Sequence, residues 1–194
     1  TSGNKGTFIK LNFMSRVFTI PNFLSSQECN EVIAKCKSEL ELKQAALGKS
    51  KEVHSKQRKS SIAFIKDLGS VNTRLTEILI SNINLRGFIA SVLDQFQFTE
   101  YKIGEYYDWH TDSGPTFPDR IYSTVIQLND NYTEGELEVK EGTEVKTLTK
   151  GIGSLYVFPS NYIHRVKPIS TGIRYSLVNW VKAIKKENIE LPLI

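Results

Sequence analysis

From the middle of the chain onward, apolar and polar residues alternate in short runs separated by turn residues: IYSTVIQLN (121–129), GELEVKEG (135–142), TEVKTLTKG (143–151), SLYVFPS (154–160), HRVKPI (164–169) and RYSLVNWV (174–181). A period of two sends successive side chains to opposite faces, so each run predicts a β-strand with one face against a core. The earlier part has a different rhythm. Ser25 followed by Glu28 three residues on makes a capping box, Pro21 precedes it, and Cys29, Val32, Ile33, Cys36 and Leu40 then recur at intervals of three and four. This predicts a helix that covers a core with one apolar stripe. A second helix is predicted over SVNTRLTEILISNI, with Val71, Leu75, Ile78 and Leu79 on one face, and SSIAFIKD (60–67) predicts a short strand before it. Helices followed by many closely spaced strands give an α+β fold, a sandwich or barrel backed by N-terminal helices.

Residues 43 to 59 fit neither rhythm. Lys43, Lys49, Lys51, Lys56, Arg58 and Lys59 stand there against Glu52, with Gly48 and several serines. The segment is expected to be a loop, either a solvated charged stretch or a basic flap over an anionic partner. His54 within it is expected to be exposed. Both ends, TSGNKG and KKENIELPLI, lack a clear period, and the first reads as a disordered end.

Length and charge narrow the classes. A chain of 194 residues suits one domain, with helical support over about 16–95 and the strand-rich core over about 95–183. The 25 basic and 21 acidic residues leave a net charge of +4, too mild to favour a nucleic-acid partner. Cys29 and Cys36 are separated by about 10 Å along the predicted helix, at roughly 1.5 Å per residue, which is beyond disulfide reach. Two buried thiols suit a reducing compartment. No apolar run approaches the ~18 residues of a membrane span. A soluble, cytoplasmic protein is therefore expected.

The candidate chemistry lies in YYDWHTDSG, residues 106–114. On a strand, His110 and Asp112 would point the same way and hold one ion between them. The chain has three histidines, and His54 sits in the basic loop, whereas His164 opens a strand-like run. The expected ligand set is therefore His110, Asp112 and His164. Thiolates and an all-oxygen cage are absent from it, which argues against structural zinc and against calcium or magnesium. Two imidazoles and one carboxylate suit non-haem Fe(II) with open coordination positions. Arg174 lies ten residues beyond His164, after a Thr171–Gly172 turn expected to bring the chain back beside His164. On spacing alone, an exposed salt-bridged arginine and a buried anion-binding one fit equally well.

These segments resemble the iron- and 2-oxoglutarate-dependent oxygenases, in their prolyl 4-hydroxylase-like branch that includes the PKHD-type hydroxylases. The resemblance runs from about 95 to 182. YKIGEYYDWHTD carries the branch's Tyr101, Gly104, Tyr107, His110 and Asp112 in order, and GIGSLYVFPSNYIHRVKPISTGIRYSLVNWV carries His164 and Arg174 at the family's separation. EGELEV is similar to its Gly-Gly-Glu-Leu segment, with Glu134 in place of the first glycine. IPNFLSSQEC and RKSSIAFI resemble its opening helix and first core strand. The resemblance implies a double-stranded β-helix, or jelly roll. It further implies Fe(II) on His110, Asp112 and His164, Arg174 on the far carboxylate of 2-oxoglutarate, and a hydrogen bond from Tyr101 to that cosubstrate. Tyr107 and Gln127 are lesser candidates for the same pocket, and Trp180, six past Arg174 on the same strand face, is expected to wall it. The implied activity hydroxylates a C–H bond with dioxygen while 2-oxoglutarate becomes succinate and carbon dioxide, with ascorbate as reductant. A peptidyl proline or other amino-acid residue is the first expected substrate. A small molecule or nucleobase is an alternative, and a non-catalytic jelly-roll binding module with a vestigial metal site is another. The segment SGPTFPDR (113–120), directly after Asp112, is the expected lid or substrate loop, with the 43–59 segment as a second candidate.

Overall fold

The computed structural model describes residues 17–46, 56–66, 68–82, 88–92 and 95–185. His54, the opening TSGNKG and most of the tail lie outside the described residues. In chain order the elements are β1 (Phe18–Ile20), α1 (Ser26–Glu39), β2 (Lys43–Gln44), β3 (Arg58–Lys59), β4 (Ser61–Ile65), α2 (Ser70–Asn82), β5 (Phe88–Val92), β6 (Phe96–Tyr101), β7 (Tyr106–His110) and β8 (Arg120–Gln127). Then follow β9 (Thr133–Glu134), β10 (Leu137–Glu141), β11 (Glu144–Thr147), β12 (Leu155–Pro159), β13 (His164–Val166), β14 (Ile169–Thr171) and β15 (Arg174–Lys185). Every predicted strand and both predicted helices are present.

The strands form two facing sheets, the sandwich expected from the pattern and the jelly roll that the resemblance implies. The larger runs β1-β12-β8-β15-β6-β4-β2, with β5 also on β15, and the smaller runs β11-β10-β13-β7-β3; β9 and β14 pair separately. Alternation along each central strand sorts its side chains between two cores. On β12, Leu155 and Val157 face the helices, while Tyr156 and Phe158 face the space between the sheets. The helices therefore cover the outer face of the larger sheet. Cys29, Val32 and Cys36 of α1 and Val71, Leu75 and Leu79 of α2 pack there with Phe96, Phe98 and Leu177.

α1 begins where its capping box places it. The Glu28 amide donates to Ser25 Oγ at 3.2 Å and the Ser25 amide donates to Glu28 Oε2 at 2.8 Å. Arg74 on α2 then pairs with Glu28 at 2.6 Å and joins the two helices. Leu24 and Gly153 hold the start of α1 against the sheet, with Leu24 N donating to Gly153 O at 3.0 Å. Gly153 has φ +71, and a Cβ there would lie 1.8 Å from Leu24 O, so only glycine fits.

Two expectations change. The basic segment 43–59 is not a loop throughout, because Lys43–Gln44 and Arg58–Lys59 are strands, and β3 crosses to the smaller sheet, where Arg58 stands opposite Tyr107. Arg58 is only 6% exposed, since its guanidinium lies over the Tyr107 ring and its Nε donates to Ser60 Oγ. The Thr171–Gly172 turn also does not set Arg174 beside His164 in one sheet. β15 enters the larger sheet, with Arg174 opposite Tyr101, while His164 sits in the smaller sheet across the sandwich.

Candidate active site

The smaller sheet brings the two candidate imidazoles together through register. His164 on β13 is the direct antiparallel partner of His110 on β7, and the ring centroids are 4.1 Å apart. Asp112 reaches them by a different route from a continuous strand. β7 ends at His110, and the amides of Asp112 and Ser113 both donate to Ser160 O, at 2.9 and 3.0 Å, which pins the carboxylate beside the sheet edge. One ligand atom from each of His110, Asp112 and His164 lies within 4.8 Å of the others.

Each imidazole is oriented by its own backbone. His110 Nδ1 is 2.7 Å from Asp108 O and His164 Nδ1 is 2.9 Å from Tyr162 O. A carbonyl can only accept, so Nδ1 carries the proton in both rings and Nε2 presents its lone pair. Those Nε2 atoms face Asp112, at 3.7 Å from Oδ1 for His110 and 3.4 Å from Oδ2 for His164. The donor set, its fixed tautomers and its hydrogen-bonded support fit a divalent transition metal.

The surroundings make these groups electrostatically unequal. Burial, reinforced by the charge of His164, pushes His110 down to about 3. For His164 burial also disfavours the charge, but Asp112 opposes it through charge and a hydrogen bond, and the imidazole ends above its ordinary value. Burial alone would raise Asp112; His164, His110 and the Ser123 hydroxyl outweigh it and hold the carboxyl well below its usual range.

The packing around the cluster includes groups that sequence patterns did not single out. Ser123 Oγ donates to Asp112 Oδ2 at 2.6 Å and stands 3.0 Å from Ser160 Oγ, so two buried hydroxyls fix the carboxylate from behind. Tyr107 stacks on His110 with centroids 3.4 Å apart and planes within 11°, and Arg58 lies 4.5 Å from the other end of that stack. Phe158 packs against His164 at 4.8 Å. Serines on strands carry no sequence signal of this kind, and Arg58 was masked by the lysines around it.

His110, Asp112, His164, Tyr101 and Arg174 all line one cavity of about 530 Å³ between the sheets. Arg174 is 1% exposed, so of the two readings open to it the buried one holds. Its Nη1 donates to Ser176 Oγ at 3.1 Å and its Nη2 to Gln127 Oε1 at 3.0 Å, while its Nε has no partner. Ser176, Gln127 and a hydrogen bond with the Tyr132 side chain thus hold the fork in place, and its charge and open Nε fit an anion. Gln127 supports Arg174 and is not a wall of the cavity. Tyr107 and Trp180 do line it, and Ser176 and Val178 fill the same strand face between Arg174 and Trp180. Arg120, at the rim, is held between Phe117 and Trp180 at 3.8 and 3.7 Å from their ring centroids. Burial pushes its guanidinium below the usual range, against the pull of Asp112 and Asp119.

Comparison with known proteins agrees with this geometry. The family model of the 2OG-Fe(II) oxygenase superfamily matches residues 96–182, which hold all three metal-ligand candidates and Arg174. Over that segment the chain is similar to the 2OG-Fe(II) oxygenase superfamily. Among its relatives, a PKHD-type hydroxylase of Idiomarina loihiensis is 24% identical over 127 residues, covering 61% of this chain and 58% of the relative. A PKHD-type hydroxylase of Gloeothece citriformis is 23% identical over 188 residues, covering 92% and 83%. The chain thus spans from little over half to about four fifths of these two relatives. Among solved structures, a Pseudomonas putida prolyl-4-hydroxylase superposes with a TM-score of 0.72 at 22% identity, over 87% of this chain and 94% of that one. A Trichoplax adhaerens prolyl hydroxylase, solved with a hypoxia inducible factor peptide fragment, gives 0.73 at 22% identity over 87% and 84%. These likenesses show that the chain has the double-stranded β-helix fold, with two supporting helices. No described helix is long and apolar enough to cross a membrane.

Proposed function

We propose that the chain is an Fe(II)- and 2-oxoglutarate-dependent dioxygenase that hydroxylates a C–H bond, first of all in a peptidyl proline or another amino-acid residue, with ascorbate keeping the iron reduced. The observation that carries this reading is the meeting of three pinned donor atoms with a buried, partly unpartnered arginine in a single cavity. With both groups bound, iron and 2-oxoglutarate supply the activation of dioxygen, with release of succinate and carbon dioxide and transfer of one oxygen atom to the substrate.

The chain's own side chains bind, orient and shield. His110, Asp112 and His164 would hold the metal through Nε2, a carboxylate oxygen and Nε2. Ser123 and Ser160 hold the carboxylate of Asp112 in place. Arg174, its angle set by Gln127 and Ser176, would pair with the far carboxylate of 2-oxoglutarate, and Tyr101, opposite it across the strands, would offer its hydroxyl to the same ligand. Trp180 and residues 113–117 line the cavity, and closure of the 113–120 segment over it would exclude water and keep the oxidising chemistry for the substrate. A peptide substrate is supported by the Trichoplax neighbour, which was solved with one.

The test is direct. Purified protein given Fe(II), ascorbate and 2-oxoglutarate is expected to release succinate, slowly without substrate, and His110→Ala to abolish release. A protein that binds iron yet neither binds 2-oxoglutarate nor forms succinate would instead be a jelly-roll binding module.

A further inference from the structure

The proposed chemistry leaves two arginines of the cavity unused. The wall carries three guanidiniums, on Arg58, Arg120 and Arg174, against one carboxylate, that of Asp112. When the site is filled as proposed, the two positive charges of Fe(II) cancel the two negative charges of 2-oxoglutarate, and Arg174 offsets Asp112. Arg58 and Arg120 then remain without a counter-charge. Neither forms an ion pair with a described carboxylate: Asp112 is turned to the histidines, and Asp119, next to Arg120, is taken by Lys182. Residues 47–55 bring no surplus of acid either, since their sequence holds Lys49 and Lys51 against Glu52.

The placement of these groups makes the excess useful. Arg120 is clamped between Phe117 and Trp180, which fixes the guanidinium plane before anything binds. Its Nη1 donates to Asp112 O at 3.4 Å, so it sits against the backbone of a metal-ligand candidate. The Trp180 indole N–H, in a residue 6% exposed, has no partner among the described residues. Arg58 is tied to Ser60 through Nε and to the Tyr107 side chain by a hydrogen bond, and what it adds to the wall is its positive charge. The wall facing the substrate is thus rich in donors and positive. Amide carbonyls would satisfy the N–H groups but leave two charges uncompensated beside aromatic and aliphatic side chains, an unfavourable state for partly desolvated cations. A carboxylate meets both needs, and an arginine fork matches it in two hydrogen bonds.

We infer that the substrate of this site carries a carboxylate close to the carbon that is hydroxylated, gripped by Arg120 with the Arg58 charge behind it. The inference rests on the oxygenase reading above and names the substrate class for it. The carboxylate has two possible sources, an acidic side chain near the target residue of a peptide or the free acid of a small molecule.

Affinity selection on the anaerobic protein, loaded with Fe(II) and 2-oxoglutarate so that nothing is oxidised, tests this without turnover. Three pools are offered: proline-centred peptides with flanking Glu, the same peptides with Gln, and free amino and other small carboxylic acids. Retained molecules are counted by mass spectrometry. Glu peptides are expected to be retained at least about tenfold over their Gln counterparts, the gain from one charge-assisted bidentate contact. That preference is expected to shrink with added salt, to vanish in Arg120→Gln and to survive in part in Arg120→Lys, with melting temperatures confirming that both variants fold. Retention confined to the small acids, again lost in Arg120→Gln, supports the inference with the second source. Equal retention of Glu and Gln peptides, a preference that persists in Arg120→Gln, or no retention from any pool overturns it. The visible band formed when 2-oxoglutarate meets the ferrous protein is recorded in the same samples. Its absence would sink the oxygenase reading itself, whereas its presence with no carboxylate preference would sink only this inference.

Discussion

Asp112 owes its position to atoms that take no part in coordination. Its amide is bound by Ser160 O, and its Oδ2 accepts from Ser123, which is itself in contact with Ser160 Oγ. Groups that orient a ligand in this way typically account for a factor of ten to a hundred in metal affinity. Ser123→Ala is therefore expected to weaken Fe(II) or Mn(II) binding by about tenfold or more with little change in melting temperature, as read by competition with a chelator; unchanged affinity would mean that Ser160 alone suffices. For Arg174→Ala the expected outcome is a 2-oxoglutarate Kd raised about tenfold to a hundredfold with metal still bound, the loss of one charge-assisted pair. Loss of metal in that variant would mean the arginine serves the fold rather than the ligand. At this scale the sequence was legible for residues whose chemistry is rare. With three histidines in the chain, His110 and His164 stood out beside Asp112, whereas spacing left Arg174 open and only the family resemblance gave it a role. Ser123, Arg58 and Arg120 were not legible, because serine and arginine are common and only a three-dimensional neighbour gives them a role.

Single positions along the elements carry strain that can be tested. Glu134 has φ 58, in the left-handed region that costs a side-chain-bearing residue about 1–2 kcal/mol, at the place where the related segment has glycine. Glycine would relieve that cost while losing about 0.5–1 kcal/mol of chain entropy, so Glu134→Gly is expected to leave the melting temperature level or raise it by a few degrees. A clear drop would show that the Glu134 side chain is itself stabilising. Gly153→Ala is expected to do the opposite, costing at least about 2 kcal/mol in denaturant unfolding, because the new methyl would overlap the backbone that seats α1. Element type was readable from period alone: the strand runs and both amphipathic stripes formed where alternation and capping placed them. The basic segment misled because its lysines dominate its composition. The short strand β3 exists only through pairing with β7, forty-seven or more residues away in sequence, and no local pattern records that.

At the level of the whole molecule, the larger sheet serves two purposes at once. Its outer face buries the helices, including both cysteines at 0% exposure, and its inner face carries Arg174, Tyr101 and Trp180 toward the cavity. Burial pushes the thiols of Cys29 and Cys36 up to about 11 and about 12, from an ordinary value of 9.0. Both therefore stay protonated in the fold while the unfolded chain ionises near pH 9, so stability is expected to be full below that point and to fall as pH rises from about 9 through 11. Denaturant melts at pH 8 and pH 10 check the sign, and a thiol reagent at neutral pH is expected to label neither cysteine until the protein unfolds. A sandwich or barrel followed from strand density in the sequence and the jelly roll from the family resemblance, whereas the sheet that each strand joins did not, because Arg174 and His164 meet across the sandwich rather than along one sheet. The central claim is that one cavity holds a ferrous ion on His110, Asp112 and His164 and a 2-oxoglutarate on both that ion and Arg174. Its most direct measurement is the visible spectrum of the ferrous protein on anaerobic addition of 2-oxoglutarate: a weak charge-transfer band is expected, lost in His164→Ala, and iron bound with no such band would contradict the account.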